Sequence, residues 1–353
     1  MSKFSRLWQV GSVLALGALV ALAAFALGRM AAEPTLRSLA DARGLDFGVS
    51  VGGHALRDPR YGGAAAQHFS LLATENALKF GPVHPAADDY DFSEADAIIE
   101  FAEAHGMAVE AHVLVWQNQN PDWLMQRDWT RQELMAVLHE HIMTVVGHYR
   151  GRIKYWVVAN EAVTPEGQLA DNFWLQHIGA DYIEMAFRWA HEADPQAILL
   201  YNDFAAEGLN PKSGGIYNLM KDLLAKGVPV HGVGLQMHVY TNSPPPPAEI
   251  AANMQRLNDL GLQVQVTEMD VRIRLPVPDG ALEKQARVYA DTLRVCLQAE
   301  NCTAFILWGL TDAHSWIPYF YPGWGAALIL DENYQPKPAY EALRRVFEEG
   351  ELR

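Results

Sequence analysis

Two glutamates at the ends of apolar, β-branched runs are the residues best suited to acid–base chemistry. Glu161 ends the run KYWVVANE, and Glu268 lies in VQVTEMD. A pair of carboxyl groups on different strands can flank a glycosidic bond, one as general acid and the other as a nucleophile or a base that activates water. The alternative is that each carboxylate pairs with a Lys or Arg, and position alone leaves both interpretations open.

Three tryptophans near strand ends, Trp116, Trp308 and Trp316, would suit a sugar substrate. Their rings offer flat apolar faces with one polar edge, which match the C–H faces and hydroxyl edges of a sugar ring. Packing is the alternative role for each of them. His112 and His238 could bind a metal, but the first apolar run, LDFGVSVG, lacks the His-x-His pair of metal-dependent barrels, so we expect no metal.

These residues belong to a repeated order of strand-like and helix-like segments. Longer stretches with helical spacing, such as SEADAIIEFAEAHG with its Ser cap and closing Gly, separate the short apolar runs. Strand then helix, repeated in one domain, predicts a closed (β/α)₈ TIM barrel. An open, doubly wound sheet is the alternative, but no Gly-rich phosphate loop follows the first strand. The predicted strands lie within residues 45–52, 70–77, 107–116, 153–161, 197–203, 232–239, 264–270 and 304–312.

Each of these runs begins apolar and ends in polar groups. In a barrel the carboxyl ends of the strands converge on one face, where active sites are built. The polar groups at these ends are Glu75, Asn76, His112, Asn160, Glu161, Asn202, Asp203, Gln236, His238, Glu268, Asp270, Thr311 and Asp312.

The composition excludes several other classes of protein. The chain has 353 residues, with 27 Lys+Arg against 42 Asp+Glu and a net charge of −15. Nucleic acid is bound through clustered Lys and Arg, so this balance argues against nucleic acid and against a polybasic membrane-surface protein. Two cysteines exclude a disulfide-dense scaffold and a Cys-rich zinc domain.

The N-terminus carries a targeting pattern. Lys3 and Arg6 precede an uncharged, apolar run over residues 8–28. We therefore expect a hydrophobic targeting segment over residues 1–30, a short linker over 31–42 and the barrel over 43–350. The run exceeds the about 7–15 residues of a signal peptide and reaches the about 18 of a spanning helix, so a cleaved signal and a membrane anchor both stay open. Either way the two basic residues predict an exported barrel, secreted or held at the cell surface.

The only two cysteines, Cys296 and Cys302, come just before the eighth apolar run. In an oxidising compartment we expect them to form a short disulfide loop, and two unrelated buried thiols are the alternative.

Several motifs in order resemble glycoside hydrolase family 10, the endo-1,4-β-xylanase family, over about residues 45–348. TENALK resembles T-P-E-N-x-M-K, AHVLVWQNQNPDWL resembles G-H-x-L-V-W-H-x-Q-x-P-x-W, and WVVANEA resembles W-D-V-V-N-E-A. YNDF, GVGLQMH, VTEMDV and WGLTDAHSWIP also have counterparts, as does the cysteine pair.

The resemblance implies a retaining mechanism in which Glu161 is the acid/base and Glu268 the nucleophile. His238 and Asp270 would orient Glu268 and keep it ionised, Asn160 would bond the 2-hydroxyl of the sugar, and Gln236 would lie near Glu161. No metal or organic cofactor is implied. The glycone subsites would be lined by Glu75, Asn76, Lys79, His112, Trp116, Gln119, Trp308 and Trp316.

Two positions depart from the family pattern. Gln117 stands where the family usually has His, and Val157 where it usually has Asp. On a regular strand residues 157, 159 and 161 share one face, which would place Val157 on the side of Glu161. Our hypothesis is that the His–Asp pair was replaced jointly, because losing both groups leaves neither of them buried and unpaired.

We therefore expect an exported, monomeric endo-1,4-β-xylanase acting on xylan or a related β-1,4-linked polysaccharide. A β-1,4-glucan-active enzyme of the same fold is the nearest alternative, since the sequence does not give the width of the pocket that would exclude a hydroxymethyl group. A catalytically inactive glycan-binding barrel is a second alternative, but the presence of both glutamates argues against it. Metal dependence, a third alternative, would appear as loss of activity with a chelator.

Overall fold

The computed structural model describes residues 33–349. The expected signal peptide or anchor over residues 1–30 lies outside the described residues. Eight parallel strands form a closed barrel, which confirms the predicted fold. They are β1 (Asp46–Ser50), β2 (Leu71–Ala73), β3 (Ala108–Val115), β4 (Tyr155–Asn160), β5 (Ile198–Asp203), β6 (Gly232–Leu235), β8 (Gln263–Arg274) and β9 (Cys302–Leu307).

The strand pairing closes the barrel in chain order. β1 pairs with β2 and with β9, and β8 completes the ring by pairing with β6 and β9. Since all of these pairs are parallel, every strand ends on the same face of the barrel.

Two short strands lie outside the ring, and both depend on the length of β8. β7 (His238–Tyr240) runs parallel to the second half of β8, while β10 (Trp324–Gly325) pairs antiparallel with its last residues. The single strand predicted within residues 232–239 is thus divided into β6 and β7, and no sequence pattern predicted β10.

Helices surround the barrel, and their amphipathic sequences explain their position. The helix predicted for SEADAIIEFAEAHG is confirmed over Ser93–Ala104, but Ser93 is its first residue and not its cap. The N–H of Ser93 donates to the side chain of Asp91 at 2.9 Å. The helices are α1 (Leu36–Ala42), α2 (Gly53–Leu56), α3 (Pro59–His68), α4 (Phe80–Val83), α5 (Ser93–Ala104), α6 (Asp122–Met125), α7 (Arg131–His148), α8 (Phe173–His177), α9 (Tyr182–Ala193), α10 (Pro211–Ala225), α11 (Pro247–Asn258), α12 (Ala281–Gln298), α13 (Ile317–Phe320) and α14 (Pro338–Glu348).

The first described helix changes the expected domain boundary. Residues 36–42 were assigned to a linker, but they form α1, whose Leu36 and Ala40 are completely buried. Burial of these two apolar side chains favours a packed helix over a solvated connection. The compact unit therefore begins at Leu36.

Among the described residues, most buried apolar side chains fill two separate spaces. Leu71, Leu200 and Ile306 belong to a cluster formed by alternate residues of the strands inside the barrel. A larger cluster lies between the barrel and the helices, and Phe47, Phe305 and other strand residues contribute to it. This two-layer packing makes the barrel a rigid support for its loops.

Within residues 33–349, every helix is too short or too polar to cross a membrane. At the end of α12, the Cα atom of Cys296 lies 5.2 Å from that of Cys302 on β9.

Candidate active site

Both candidate catalytic glutamates lie at the carboxyl face of the barrel. Glu161 directly follows β4 and is half-buried, whereas Glu268 lies within β8 and is buried.

Three amide side chains connect the two carboxyl groups. The Nε2 atom of Gln236 donates to Glu161 Oε1 at 3.1 Å and to Asn160 Oδ1 at 3.1 Å. The Nδ2 atom of Asn202 donates to the same Asn160 oxygen at 3.0 Å and to Glu268 Oε1 at 2.6 Å. A continuous row of hydrogen bonds thus fixes one glutamate relative to the other.

A second row of hydrogen bonds runs from the other oxygen of Glu268 through His238 to Asp270. His238 Nε2 lies 3.1 Å from Glu268 Oε2, and His238 Nδ1 lies 2.8 Å from Asp270 Oδ2. Trp316 donates to the same Asp270 oxygen at 2.8 Å. The pairing of β7 with β8 explains this contact, because it places His238 directly opposite Asp270.

The surroundings of Glu268 favour its ionised form. Burial alone would raise its pKa, but His112, His238 and the amide of Asn202 outweigh burial and hold the pKa below its usual value. Burial lowers the pKa of His112 to about 4, so His112 is neutral above that pH. At higher pH, His238 and Asn202 are the neighbours that keep the pKa of Glu268 low. Burial opposes protonation of His238 as well, but Asp270 and Glu268 raise its pKa to about 10.

Glu161 has different neighbours. Trp116 Nε1 donates to its Oε2 atom at 2.9 Å, so each oxygen of the carboxyl group receives one neutral donor. Its backbone has φ of 56°, in the left-handed region that non-glycine residues seldom adopt. Such backbone geometry is typical of functional sites held by their surroundings.

A polar row from the end of β2 approaches the two glutamates. Lys79 Nζ donates to Asn76 Oδ1 at 2.7 Å, and Asn76 Nδ2 donates to Glu75 Oε1 at 3.1 Å. Lys79 also lies 4.8 Å from the ring centre of Trp116. Burial lowers the pKa of Lys79 despite the nearby carboxylates, and burial raises that of Glu75.

The remaining predicted residues differ in how deeply they are buried. Trp308 is buried against His112, their ring centres 5.3 Å apart, and a pocket is lined by Glu75, Trp308 and Trp316. The side chain of Gln119 is exposed; its backbone carbonyl accepts a hydrogen bond from Gly81.

The site also contains groups to which the sequence analysis gave no role. Thr267 Oγ1 donates to Asn202 Oδ1 at 2.7 Å, which fixes the orientation of that amide. Glu110 on β3 is completely buried, and neither of its carboxyl oxygens has a hydrogen-bond partner within residues 33–349. Burial, and secondarily Glu268, raise the pKa of Glu110 well above its usual value. Glu110 was missed because it sits mid-strand, away from the strand end.

The alternation expected around Val157 is wrong. The register of β4 against β5 shifts between Val157 and Ala159, so one extra residue breaks the two-residue period. Val157 is completely buried opposite His112 and Leu200, while Gln117 is exposed. The two departing positions therefore have different surroundings.

Within the described range, no group of three or more His, Cys, Asp and Glu side chains is arranged to hold a metal ion.

The sequence and the fold are both similar to those of known proteins. Residues 35–346 match the family model for glycosyl hydrolase family 10. The chain is 42% identical to endo-1,4-beta-xylanase B of Thermotoga neapolitana, covering 89% of this chain and 92% of that protein. Among solved structures, xylanase 10B from Thermotoga petrophila in complex with xylobiose is 44% identical, with a TM-score of 0.87 and coverage of 89% and 97%. An intracellular xylanase from Thermoanaerobacterium saccharolyticum is 36% identical, with a TM-score of 0.82 and coverage of 89% and 98%.

Proposed function

Because this chain belongs to glycosyl hydrolase family 10, we propose that it is an endo-1,4-β-xylanase, which hydrolyses internal β-1,4-xylosidic bonds of xylan with retention of configuration. The observation that carries this proposal is the pair of glutamates joined through Gln236, Asn160 and Asn202. The xylanases reported above support xylan as the substrate.

Glu268 is the nucleophile in this mechanism. An ionised carboxylate is needed to attack the anomeric carbon, and the bonds from His238 and Asn202 favour that form. Asp270 fixes the ring of His238 and favours its protonated form through the contact with Nδ1. Trp316 in turn fixes Asp270 by donating a hydrogen bond to the same oxygen.

Glu161 is the general acid and then the general base. As acid it protonates the leaving oxygen while the glycosyl–enzyme bond to Glu268 forms; as base it takes a proton from the water that breaks this bond. Asn160, one residue before it, bonds the 2-hydroxyl of the sugar in this mechanism, as the family resemblance implies. The glycone subsites are formed by Glu75, Asn76, Lys79, His112, Trp116, Trp308 and Trp316, with Gln119 at the exposed edge.

Product analysis on three polymers tests the reaction and separates it from the alternatives. We expect short xylo-oligosaccharides from xylan, little release from cellulose or mixed-linkage glucan, and a β-anomer as the first product by ¹H NMR. Faster release from a glucan would make the enzyme a glucanase. An α-anomer would exclude retention, and no release from any polymer would favour a binding protein.

Substitution of each glutamate tests its role. Glu161→Ala should lower kcat/KM on xylan by about 10²–10⁴-fold, while glycosylation by an aryl xylobioside with a dinitrophenolate leaving group is largely spared. Glu268→Ala should abolish turnover of both substrates. Glu166→Gln, which changes an exposed glutamate in the loop after β4, is the matched control and should leave both rates unchanged. Equal losses on both substrates in Glu161→Ala would contradict the acid assignment.

We also propose that the barrel is exported and that Cys296 and Cys302 form a disulfide. The basic and apolar N-terminal pattern supports export, and a Cα separation of 5.2 Å supports the bond. Both cysteines should resist alkylation under native and denaturing conditions until a reductant is added; labelling of either without reductant would show free thiols.

A further inference from the structure

Both backbone N–H groups that flank the side chain of Glu161 are bound to β5. The N–H of Glu161 donates to the carbonyl of Asn202 at 3.0 Å, as expected between parallel strands. The N–H of Ala162 instead donates to the phenolic oxygen of Tyr201 at 3.0 Å. The left-handed backbone of Glu161 takes the chain out of strand β4. At the next residue, Ala162, the phenol of Tyr201 therefore replaces a backbone carbonyl as the hydrogen-bond acceptor.

The phenol can accept this bond because its own proton is directed elsewhere. A tyrosine hydroxyl has one proton, and Tyr201 donates it to Asp203 Oδ2 at 2.6 Å. An ionised carboxylate only accepts hydrogen bonds, so it leaves the lone pairs of the phenol to Ala162.

A buried ion pair fixes Asp203 in turn. Lys212, near the start of α10, lies 2.7 Å from Asp203 Oδ1, and the N–H of Phe204 donates to the same oxygen at 2.9 Å. Lys212 and Asp203 are 3% and 0% exposed, and Tyr201 is also completely buried. Removing one partner of a buried ion pair strongly destabilises the folded protein, because the other charge is left unpaired. Lys212 and Asp203 therefore hold each other in place.

We propose that Tyr201, oriented by the Asp203–Lys212 ion pair, is a positioning residue for the acid/base Glu161. The inference rests on the proposed role of Glu161. Tyr201 packs in the layer between the barrel and the helices, so it acts through the peptide after Glu161 and not through the sugar.

This position predicts a kinetic effect that a general loss of structure would not give. Tyr201→Phe removes the acceptor for Ala162 and leaves the nucleophile side of the cleft unchanged. We expect kcat/KM on a xylo-oligosaccharide to fall about tenfold, because a displaced general acid loses part of its contribution. Hydrolysis of a dinitrophenyl xylobioside, whose leaving group needs no proton, should keep its glycosylation rate. Equal losses on the two substrates, or no loss on either, would overturn the inference.

Two controls make the result specific. Tyr149→Phe is matched, since Tyr149 is also completely buried and donates to an aspartate, Asp96 Oδ1 at 2.9 Å, but lies beyond α7 on the outside of the barrel. It should leave both rates unchanged. Glu161→Gln should show the full dependence on the leaving group. If Glu161→Gln shows it and Tyr201→Phe does not, only this inference fails; if Glu161→Gln lacks it, the proposed function of Glu161 fails.

A second variant covers poor folding of Tyr201→Phe. The double variant Asp203→Asn, Lys212→Met removes both charges of the ion pair, so that neither is left buried and unpaired, and it weakens the fixed direction of the phenolic proton. It should show the same preference for the activated substrate with a smaller loss. A uniform loss on both substrates in a folded double variant would also overturn the inference.

Discussion

His238 is a direct hydrogen-bond neighbour of Glu268 and favours its ionised form. It contacts Glu268 at 3.1 Å and is raised to a pKa of about 10 by Asp270 and Glu268, so it is protonated near neutral pH. The pKa of Glu268 lies below its usual value, so its carboxylate form, which the proposed nucleophile needs, is present above that pKa and is lost as the pH falls through it.

The acidic limb of the pH–rate profile should therefore move when His238 is replaced. His238→Asn removes a positive neighbour from Glu268, so its pKa rises and the acidic limb of kcat/KM shifts to higher pH. His105→Asn, which changes an exposed histidine after α5, should leave the limb in place. If the acidic limb of the pH–rate profile has the same pKa in His238→Asn as in the unchanged protein, His238 does not control the ionisation of Glu268.

The isolated carboxyl group of Glu110 makes a prediction about stability. Its pKa is raised in the folded protein. When the pH rises above the usual pKa of a glutamate, the unfolded state therefore loses this proton while the folded state keeps it, and the folded state becomes less stable relative to the unfolded state. Glu110→Gln should therefore increase the free energy of unfolding by about 1–3 kcal/mol at pH 7–8, with little difference near pH 4.

Denaturant unfolding at several pH values measures this effect. Glu100→Gln, an exposed glutamate on α5, is the matched control and should show no pH-dependent gain. A Glu110→Gln protein whose advantage does not grow with pH would mean that Glu110 is ionised in the folded state.

The register shift in strand β4 determines which residues surround the side chain of Val157. The side chain is completely buried opposite His112 and Leu200, so Val157→Asp should cost about 1–3 kcal/mol of stability. Position 117 is exposed. We therefore expect that adding Gln117→His recovers none of this loss and that the two changes are additive within about 0.5 kcal/mol.

A double-mutant cycle by chemical denaturation checks this, with Val157→Thr as the near-isosteric polar control. Recovery of most of the loss in the double variant would show that a histidine at 117 turns inward, in support of joint replacement.

The elements that the sequence predicted are those governed by local pattern. The ring strands have continuous apolar runs and the long helices have helical spacing, so both follow from neighbouring residues. The pairing of β7 and β10 with the end of β8 depends on contacts between distant segments. The register shift at Val157 likewise depends on β5, and no residue type near it signals a bulge.

The same distinction applies to the site. Strand-end position predicted that the two glutamates, His238 and Asp270 lie together at one face of the barrel, and their hydrogen bonds show this. Their roles and the glycone subsites stay predictions from motif resemblance. The roles of Tyr201 and Glu110 were not predictable, because a tyrosine or glutamate inside an apolar run has many possible partners and the fold alone determines which one it meets.

Export of the whole protein can be tested by cell fractionation. If residues 8–28 form an uncleaved anchor, activity should remain with washed membranes and be released by detergent or by protease cleavage near residues 31–35, ahead of α1. A cleaved signal would instead give soluble activity in the medium and a mature N-terminus near Arg29. A variant lacking residues 1–30 is the control, and its activity should stay in the cytosol; an unchanged distribution would exclude targeting by this segment.

The first and last helices of the barrel lie against each other. α1 packs on α14, and Arg43 Nη1 donates to the carbonyl of Phe347 at 3.4 Å. For protein engineering, this adjacency makes circular permutation feasible, because a short connector could join α14 to α1. New termini could be opened at the exposed turn of Gly261, between α11 and β8. That turn precedes a strand and so lies on the face opposite the cleft. A circularly permuted enzyme would thus begin with the strand that bears Glu268, while each carboxyl group kept its place in the ring.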